Sequence, residues 1–398
     1  MKKNIVLLDI DGVLVYPGGY RNAINSSMMY ILDRMSIGYS IHDDIVPILY
    51  ESVGITSEWD MLPLLMASVL DSFLARHGNN YKLGSLEQAS ELLSRLNIGN
   101  LSVDYKLYIK KLTSSLAYGK NFSSTLLHDI LIGKFENPFT QLGGHPIIYD
   151  LFSHSRDIKK SFLTKLFQNI VLGDELFCEV YKIDPVMATP PFLEKYDVPL
   201  LQETTKDKLY LYIKDGLINA SVYTARPSYP PIELHERIVG YSPEAEMALS
   251  INGITDIPLI GYGKIAFLAE QKGINPEFLL KPNPFQAIAA IFAALTGNEI
   301  DSLDIAYNLT NYTKKGDFNL FFEKFRDQDY IVHVFEDTPG GVIALREACK
   351  ILSDLGINLA LIPYGVSKNK EKIGALKKLD IPIYKDINLA LEKLFSIL

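Results

Sequence analysis

The segment Ile5-Val6-Leu7-Leu8 is a short apolar run that Asp9 and Asp11 close abruptly. An apolar run of this length, stopped by carboxylates, suits a strand buried on both faces. Strands of that kind belong to parallel sheets with helices on either side. Gly12 then permits a sharp turn. The strand is expected over residues 3–8, with Asp9 at its carboxyl end. Ligands of open α/β sheets bind outside the carboxyl ends of the strands, so Asp9 and Asp11 are the first candidates for a functional site.

Beyond residue 216 the chain again alternates strand-like and helix-like segments. Strands are expected at 220–223, 258–260, 278–280, 330–335 and 359–362. Helices are expected at 243–251, capped by Ser242, and at 264–271, 284–294, 340–355 and 387–398. From about 17 to 215 strand-like runs are sparse. Apolar residues there recur at helical spacing over 23–35, 61–76, 86–96 and 161–171, and residues 184–199, with Pro185, Pro190 and Pro191, read as an extended connection. The expected fold class is α/β: a doubly wound parallel sheet built from residues 1–16 and 216–398, with a large, mostly helical domain, residues 17–215, inserted after the first strand. Residues 297–329, with Asn308, Asn311, Lys314, Lys315 and Gly316, read as a polar excursion.

Composition bounds the function. The chain has 398 residues, 48% hydrophobic and 22% charged, enough for a sizeable core and more than one domain. A net charge of −8 disfavours nucleic acid as a partner. Cys178 and Cys349 lie far apart without a metal-ligand pattern and read as two reduced, buried thiols. The apolar run after Lys2 and Lys3 falls short of the roughly 7–15 residues of a signal peptide's core. No stretch reaches the roughly 18 residues of a membrane span. A soluble, cytoplasmic protein without a membrane partner is expected.

Several expected strands end in a polar group: Asp9, Thr224, Lys281, and Glu336 with Asp337. Together these groups make chemical sense. One carboxylate attacks phosphorus, and a second, two residues on, serves as acid and base. Carboxylates from two strands hold Mg²⁺, and a hydroxyl and an ammonium bind the remaining phosphoryl oxygens. Lys264, in Gly261-Tyr262-Gly263-Lys264, lacks a full phosphate-loop pattern and reads as a solvated lysine at a strand-to-helix turn.

These segments resemble the haloacid dehalogenase (HAD) superfamily. Asp9-Ile10-Asp11-Gly12-Val13 is similar to its first motif and Val222-Tyr223-Thr224-Ala225-Arg226 to its second. Lys281-Pro282-Asn283-Pro284 is similar to its third, and Glu336-Asp337-Thr338-Pro339-Gly340 to its fourth. The order is that of the family, and the likeness covers the α/β half of the chain. It implies a Rossmann-like core, with residues 17–215 in the place of an enlarged cap domain. Asp9 becomes nucleophile and metal ligand, and Asp11 general acid and base with its carbonyl on the metal. Thr224, Ala225 and Lys281 bind phosphate, and Asp337 and Glu336 ligate Mg²⁺. Arg21, Arg226 and Trp59 are candidate substrate contacts. For Trp59 the preferred reading is a helix start capped by Ser57, with Glu58 and Asp60 in the first turn. The function expected is a Mg²⁺-dependent phosphatase acting on a small phosphomonoester. The alternatives are a phosphomutase of the same superfamily, or a ligand- or protein-binding module carried on a weakly active core.

Overall fold

A computed structural model of the chain describes residues 2–38, 45–78, 80–96, 98–113, 122–311 and 325–398. Among them run the strands β1 (Lys3–Leu8), β2 (Val15–Tyr16), β3 (Ile37–Gly38), β4 (Gly99–Asn100), β5 (Val198–Pro199), β6 (Ile218–Tyr223), β7 (Leu259–Ile260), β8 (Tyr330–Glu336), β9 (Leu359–Val366) and β10 (Ile383–Tyr384). The chain divides into two compact units. One comprises Met1–Pro17 and Asp197–Leu398; the other is Gly18–Tyr196.

Residues 197–215, read from the sequence as part of the insertion, belong to the first unit. β5 pairs antiparallel with β2, Val15 opposite Pro199, and the helix Glu203–Lys214 packs against β6. The reason is burial: Leu201 and Leu209 join the same apolar cluster as Val6 and Leu8. The stretch read as an extended connection contains the helix Phe192–Tyr196.

The first unit is a Rossmann-like α/β fold. Its central sheet has six parallel strands in the order β10-β9-β8-β1-β6-β7. β1 is buried on both faces, as its unbroken apolar run requires. Ile5 and Leu7 enter one cluster with the helices Pro284–Thr296 and Pro339–Asp354. Val6 and Leu8 enter the opposite cluster with the helices Glu244–Asn252 and Ile387–Phe395. Each of these four side chains is 0% exposed, contributing about 1.5–3 kcal/mol apiece. From β1 the chain builds β6 and β7 on one side, then crosses back to build β8, β9 and β10 on the other. The strand order therefore reverses at β1, and a crevice at such a switch point is where open α/β sheets place ligands.

Local chemistry explains the elements around the sheet. The helix Pro284–Thr296 has proline at its first position, Asn283 Oδ1 accepting from Phe285 N at 2.8 Å, and Gly297 past its end. Residues 278–280 form no strand. A 3₁₀ turn, Pro276–Leu279, takes their place, so Lys281 comes from a turn-to-helix connection. Ser242 does not cap the helix Glu244–Asn252: its hydroxyl donates to Glu244 Oε1 at 2.8 Å, and Pro243 holds the cap position. The expected polar excursion opens with a helix, Glu299–Asn311, with Leu303 and Ala306 buried in the core; Lys314, Lys315 and Gly316 lie outside the described residues. Cys349 is buried, but Cys178 only partly so.

His333, in the middle of β8, is 1% exposed. Its Nε2 lies 3.2 Å from Asn4 Oδ1 and its Nδ1 3.3 Å from the Tyr364 hydroxyl, so a neutral ring protonated on Nε2 satisfies both neighbours. Burial pulls its pKa down from 6.5 to about 4. Between those pH values the unfolded chain binds the proton and the folded chain does not. Stability contributed by the neutral ring is therefore full above pH 6.5 and falls as the pH drops towards 4, by about 2–3 kcal/mol. In urea titrations at pH 7 and pH 4.5, the wild type should lose about 2 kcal/mol more than His333→Gln on acidification. Equal losses in the two proteins would show that the ring is not held neutral.

The second unit is mostly helical. The helix Gly18–Arg34 packs on Glu58–His77, Phe162–Tyr181 and Phe192–Tyr196, and β3 and β4 form a small parallel pair. Its buried acids serve structure. Asp60 accepts from Ser123 N at 2.9 Å and Arg156 Nη2 at 2.7 Å. Asp71 accepts from the amides of Gln141 and Leu142 and from the Tyr108 hydroxyl. Among the described residues no helix is long and apolar enough to cross a membrane.

Candidate functional site

Asp9 follows β1 directly. The ladders place Leu8 beside Val222 of β6 and Phe335 of β8, and Asp9 N donates to Phe335 O at 3.1 Å. One step further along the sheet, Asp9 therefore lies between Tyr223 and Glu336. Lys281 closes this group. Its Nζ lies 3.0 Å from Asp9 Oδ1, 2.8 Å from Glu336 Oε1 and 3.2 Å from Tyr223 O, and 3.6 Å from the centre of the Tyr223 ring. The Tyr223 hydroxyl donates to Glu336 Oε1 as well. Residues distant in sequence thus meet at one sheet edge.

The cluster is dry. Asp9 is 8% exposed and Glu336 0%. Burial pushes the Asp9 carboxyl above its ordinary pKa; the Lys281 charge opposes this rise and the Asp11 charge adds to it. Burial also raises Glu336, reinforced by Asp9 and opposed by Lys281. For Lys281 burial would lower the pKa, but the two carboxylates outweigh it and the ammonium is retained. Two buried carboxylates share one cation, and Glu336 Oε2 has no hydrogen-bond partner among the described residues. That orphaned oxygen is a position where a further cation would be welcome.

Asp337 brings a third carboxylate. One ligand oxygen each from Asp9, Glu336 and Asp337 lies within 4.8 Å of the others, a spacing that can hold a metal ion. Asp337 is 3% exposed and is paired with Lys372, from the helix Lys370–Lys377. Two glycines make room for the acids. Gly12 has φ +77°, and a Cβ there would fall 2.1 Å from Asp337 Oδ2. A Cβ on Gly341 would fall 1.7 Å from Glu336 Oε1. A side chain at either place would displace the carboxylate, and glycine lets the turn after β1 and the helix after β8 come this close to the acids.

Thr224 follows β6 and is buried; its Oγ1 accepts from Arg226 N at 3.2 Å and its carbonyl from Gln286 Nε2 at 2.8 Å. Ala225 lies exposed in the bend after it. Asp11, two residues after Asp9 and within the turn, is partly exposed, and the Arg226 guanidinium grips its carboxylate.

Arg226, expected to contact substrate, is instead a buried member of an ion-pair group with Asp11 and Asp197. Arg21 and Trp59 belong to the helical unit. Arg21 is buried and pairs with Glu51 at 3.9 Å. Trp59 Nε1 donates to Gln168 Oε1 at 3.2 Å from the first turn of the helix Glu58–His77, the helix start that Glu58 and Asp60 suggested. Ser57 holds its cap position without a capping bond, its hydroxyl accepting from Arg156 instead. Lys264 does lie at a strand-to-helix turn, but it is 3% exposed rather than solvated. Glu299 Oε2 at 3.2 Å and Glu246 Oε1 at 3.4 Å neutralise it.

Lys372, Tyr223 and Asp197 were not singled out in the sequence. Tyr223 precedes Thr224 and could have been found from the strand's register. Lys372 and Asp197 sit in no pattern that distinguishes them from other charged residues.

Neither a family model nor a curated protein matches this chain. The X-ray structure of a Northeast Structural Genomics Consortium target is similar to it, at 16% identity and a TM-score of 0.57, over 100% of this chain and 99% of that one. At that identity the likeness speaks for the fold alone.

Proposed function

We propose that this protein is a Mg²⁺-dependent phosphatase of the HAD type, acting on a small phosphomonoester through an aspartyl-phosphate. The observation that carries the reading is the meeting of Asp9, Lys281, Glu336 and Asp337 at the carboxyl edge of the sheet, where its strand order reverses. The resemblance of four segments to the family's motifs supports the same roles.

The donor set fits the metal. Mg²⁺ prefers hard oxygen ligands, and Asp9, Glu336 and Asp337 offer carboxylates alone, with one oxygen of Glu336 unpartnered among the described residues. Asp9 and Asp337 would hold it, with Glu336 and the Asp11 carbonyl beside them. Bound there, Mg²⁺ supplies positive charge against the phosphoryl oxygens. The chain's own residues do the rest. Lys281, kept cationic by two carboxylates, draws a phosphoryl group towards Asp9 and offsets the charge that grows on it. An Asp9 carboxylate oxygen attacks phosphorus and the bond to the leaving alkoxide breaks, while Asp11 gives that oxygen its proton. Asp11, now ionised, takes a proton from water. The water oxygen attacks phosphorus, the bond to Asp9 breaks, and inorganic phosphate leaves.

Purified protein should hydrolyse p-nitrophenyl phosphate with Mg²⁺, lose that activity with a chelator and regain it when Mg²⁺ is restored. At a hundredfold excess over its dissociation constant, Mg²⁺ should also stabilise the fold by about 2.7 kcal/mol, seen as a rise in Tm. Absence of both outcomes, with no hydrolysis of aryl or alkyl phosphates and no Tm shift with Mg²⁺, would sink the proposal.

A further inference from the structure

Arg226 stands between two carboxylates that differ in their access to water. Its Nε lies 3.0 Å from both Asp11 oxygens and its Nη2 2.6 Å from Asp11 Oδ1. On its other side Nη1 lies 2.9 Å from Asp197 Oδ2 and 3.5 Å from the Glu244 carbonyl. The side chains of Arg226 and Asp197 are 1% and 3% exposed, and that of Asp11 35%. A wet carboxylate is thus gripped by a dry cation, which a dry carboxylate anchors in turn.

The backbone supports this chain of contacts. Asp11 bridges to Val15, and Gly12 N donates to Val15 O at 2.8 Å. Asp197 is the residue at which the chain re-enters this unit, directly before β5, which pairs with β2. The two carboxylates therefore sit on segments already tied together, and Arg226 joins their side chains.

We propose that Arg226 and Asp197 are positioning residues: Arg226 sets the direction of the Asp11 carboxylate, and Asp197 holds Arg226 in place. The inference rests on the reading of Asp11 as the proton donor and acceptor. A guanidinium is a rigid planar fork, and a carboxylate held by two of its N–H groups loses the freedom to rotate. The buried cation keeps this pose because Asp197 supplies its counter-charge without drawing on Asp11. The exposed part of Asp11 remains open to the leaving oxygen and then to water.

Asp197→Asn tests this through leaving-group dependence. A nitrophenolate leaves without a proton, whereas an alkoxide needs one. For an alkyl phosphate, kcat/KM should fall about 10²-fold, the cost of misplacing a reacting group by about an ångström. For p-nitrophenyl phosphate, kcat/KM should stay within about threefold, since it reports only the steps up to phosphorylation of Asp9. A burst of nitrophenol should appear, because water activation by Asp11 is now slow. Asp197→Glu should restore part of the alkyl activity. Arg226→Lys, which keeps the charge and loses the fork, should give the same unequal loss and serves if Asp197→Asn does not fold. Equal losses on both esters would overturn the positioning role alone. No turnover of either ester by the wild type would overturn the phosphatase reading, and this inference with it.

Discussion

Asp9→Asn is expected to lower Mg²⁺-dependent hydrolysis of p-nitrophenyl phosphate by roughly 10⁴-fold or more, about 5 kcal/mol in the barrier, while the protein stays folded. The amide has no free carboxylate oxygen to attack phosphorus, and it withdraws a negative ligand from the trio with Glu336 and Asp337. The fold should tolerate the change. Asp9 is buried with a second carboxylate against a single lysine, and an Asn at this position leaves Lys281 paired with Glu336 at 2.8 Å. Activity and Tm measured on the same preparation separate the two effects. Activity within tenfold of wild type would remove Asp9 from the chemistry, whatever the remaining residues do.

Lys281→Met carries the second large effect, this time on stability. The substitution nearly preserves volume and removes the cation that Asp9 and Glu336 share. Two carboxylates at 8% and 0% exposure are then left facing each other without the shared cation, with the Tyr223 hydroxyl still donating to Glu336. Breaking a buried pair by removing one partner costs about 3–5 kcal/mol, because a buried charge is stranded. The deficit should appear in urea unfolding followed by a probe of the α/β unit. Lys281→Met with Glu336→Gln should recover more than half of it, since the second change discharges one stranded acid. A single-variant loss below about 1 kcal/mol would mean that the cluster's charges are not stabilised by Lys281. Activity should be lost in both variants, as neither retains the ammonium that meets the phosphoryl group.

These two residues differ in how much of their role is legible in the sequence. Asp9 is readable because β1 is local: four apolar residues and a carboxylate define a buried strand and its end without reference to anything distant. The same holds for Thr224 after β6 and for the acids closing β8. Lys281 was readable as a candidate, but not by its place. The residues before it form a 3₁₀ turn, because Asn275 accepts from Glu277 N and Pro276 starts a helical turn, not a strand. Arg226 shows the limit from the other side. Its place in the second motif-like segment made it a candidate substrate contact, and the fold buries it between Asp11 and Asp197, the latter 29 residues upstream. Lys264 fails in the same way: beside two glycines a lysine reads as solvated, and Glu246, Glu299 and the carbonyls of Tyr229 and Pro230 make its burial tolerable.

The sequence by itself determined the α/β class, the strand ends that carry Asp9, Asp11, Thr224, Glu336 and Asp337, and the long helical insertion. Each of these follows from hydrophobic period, cap chemistry and turn residues, which act over a few positions along the chain. The tertiary structure alone decided where the insertion ends, that Lys372 meets Asp337, that Glu336 keeps a buried oxygen unpartnered among the described residues, and that Asp197 anchors Arg226 against Asp11. Ion pairs between distant residues are set by burial and by what the packed sheet brings within 3–4 Å, and a charged residue carries no local mark of the partner it will meet.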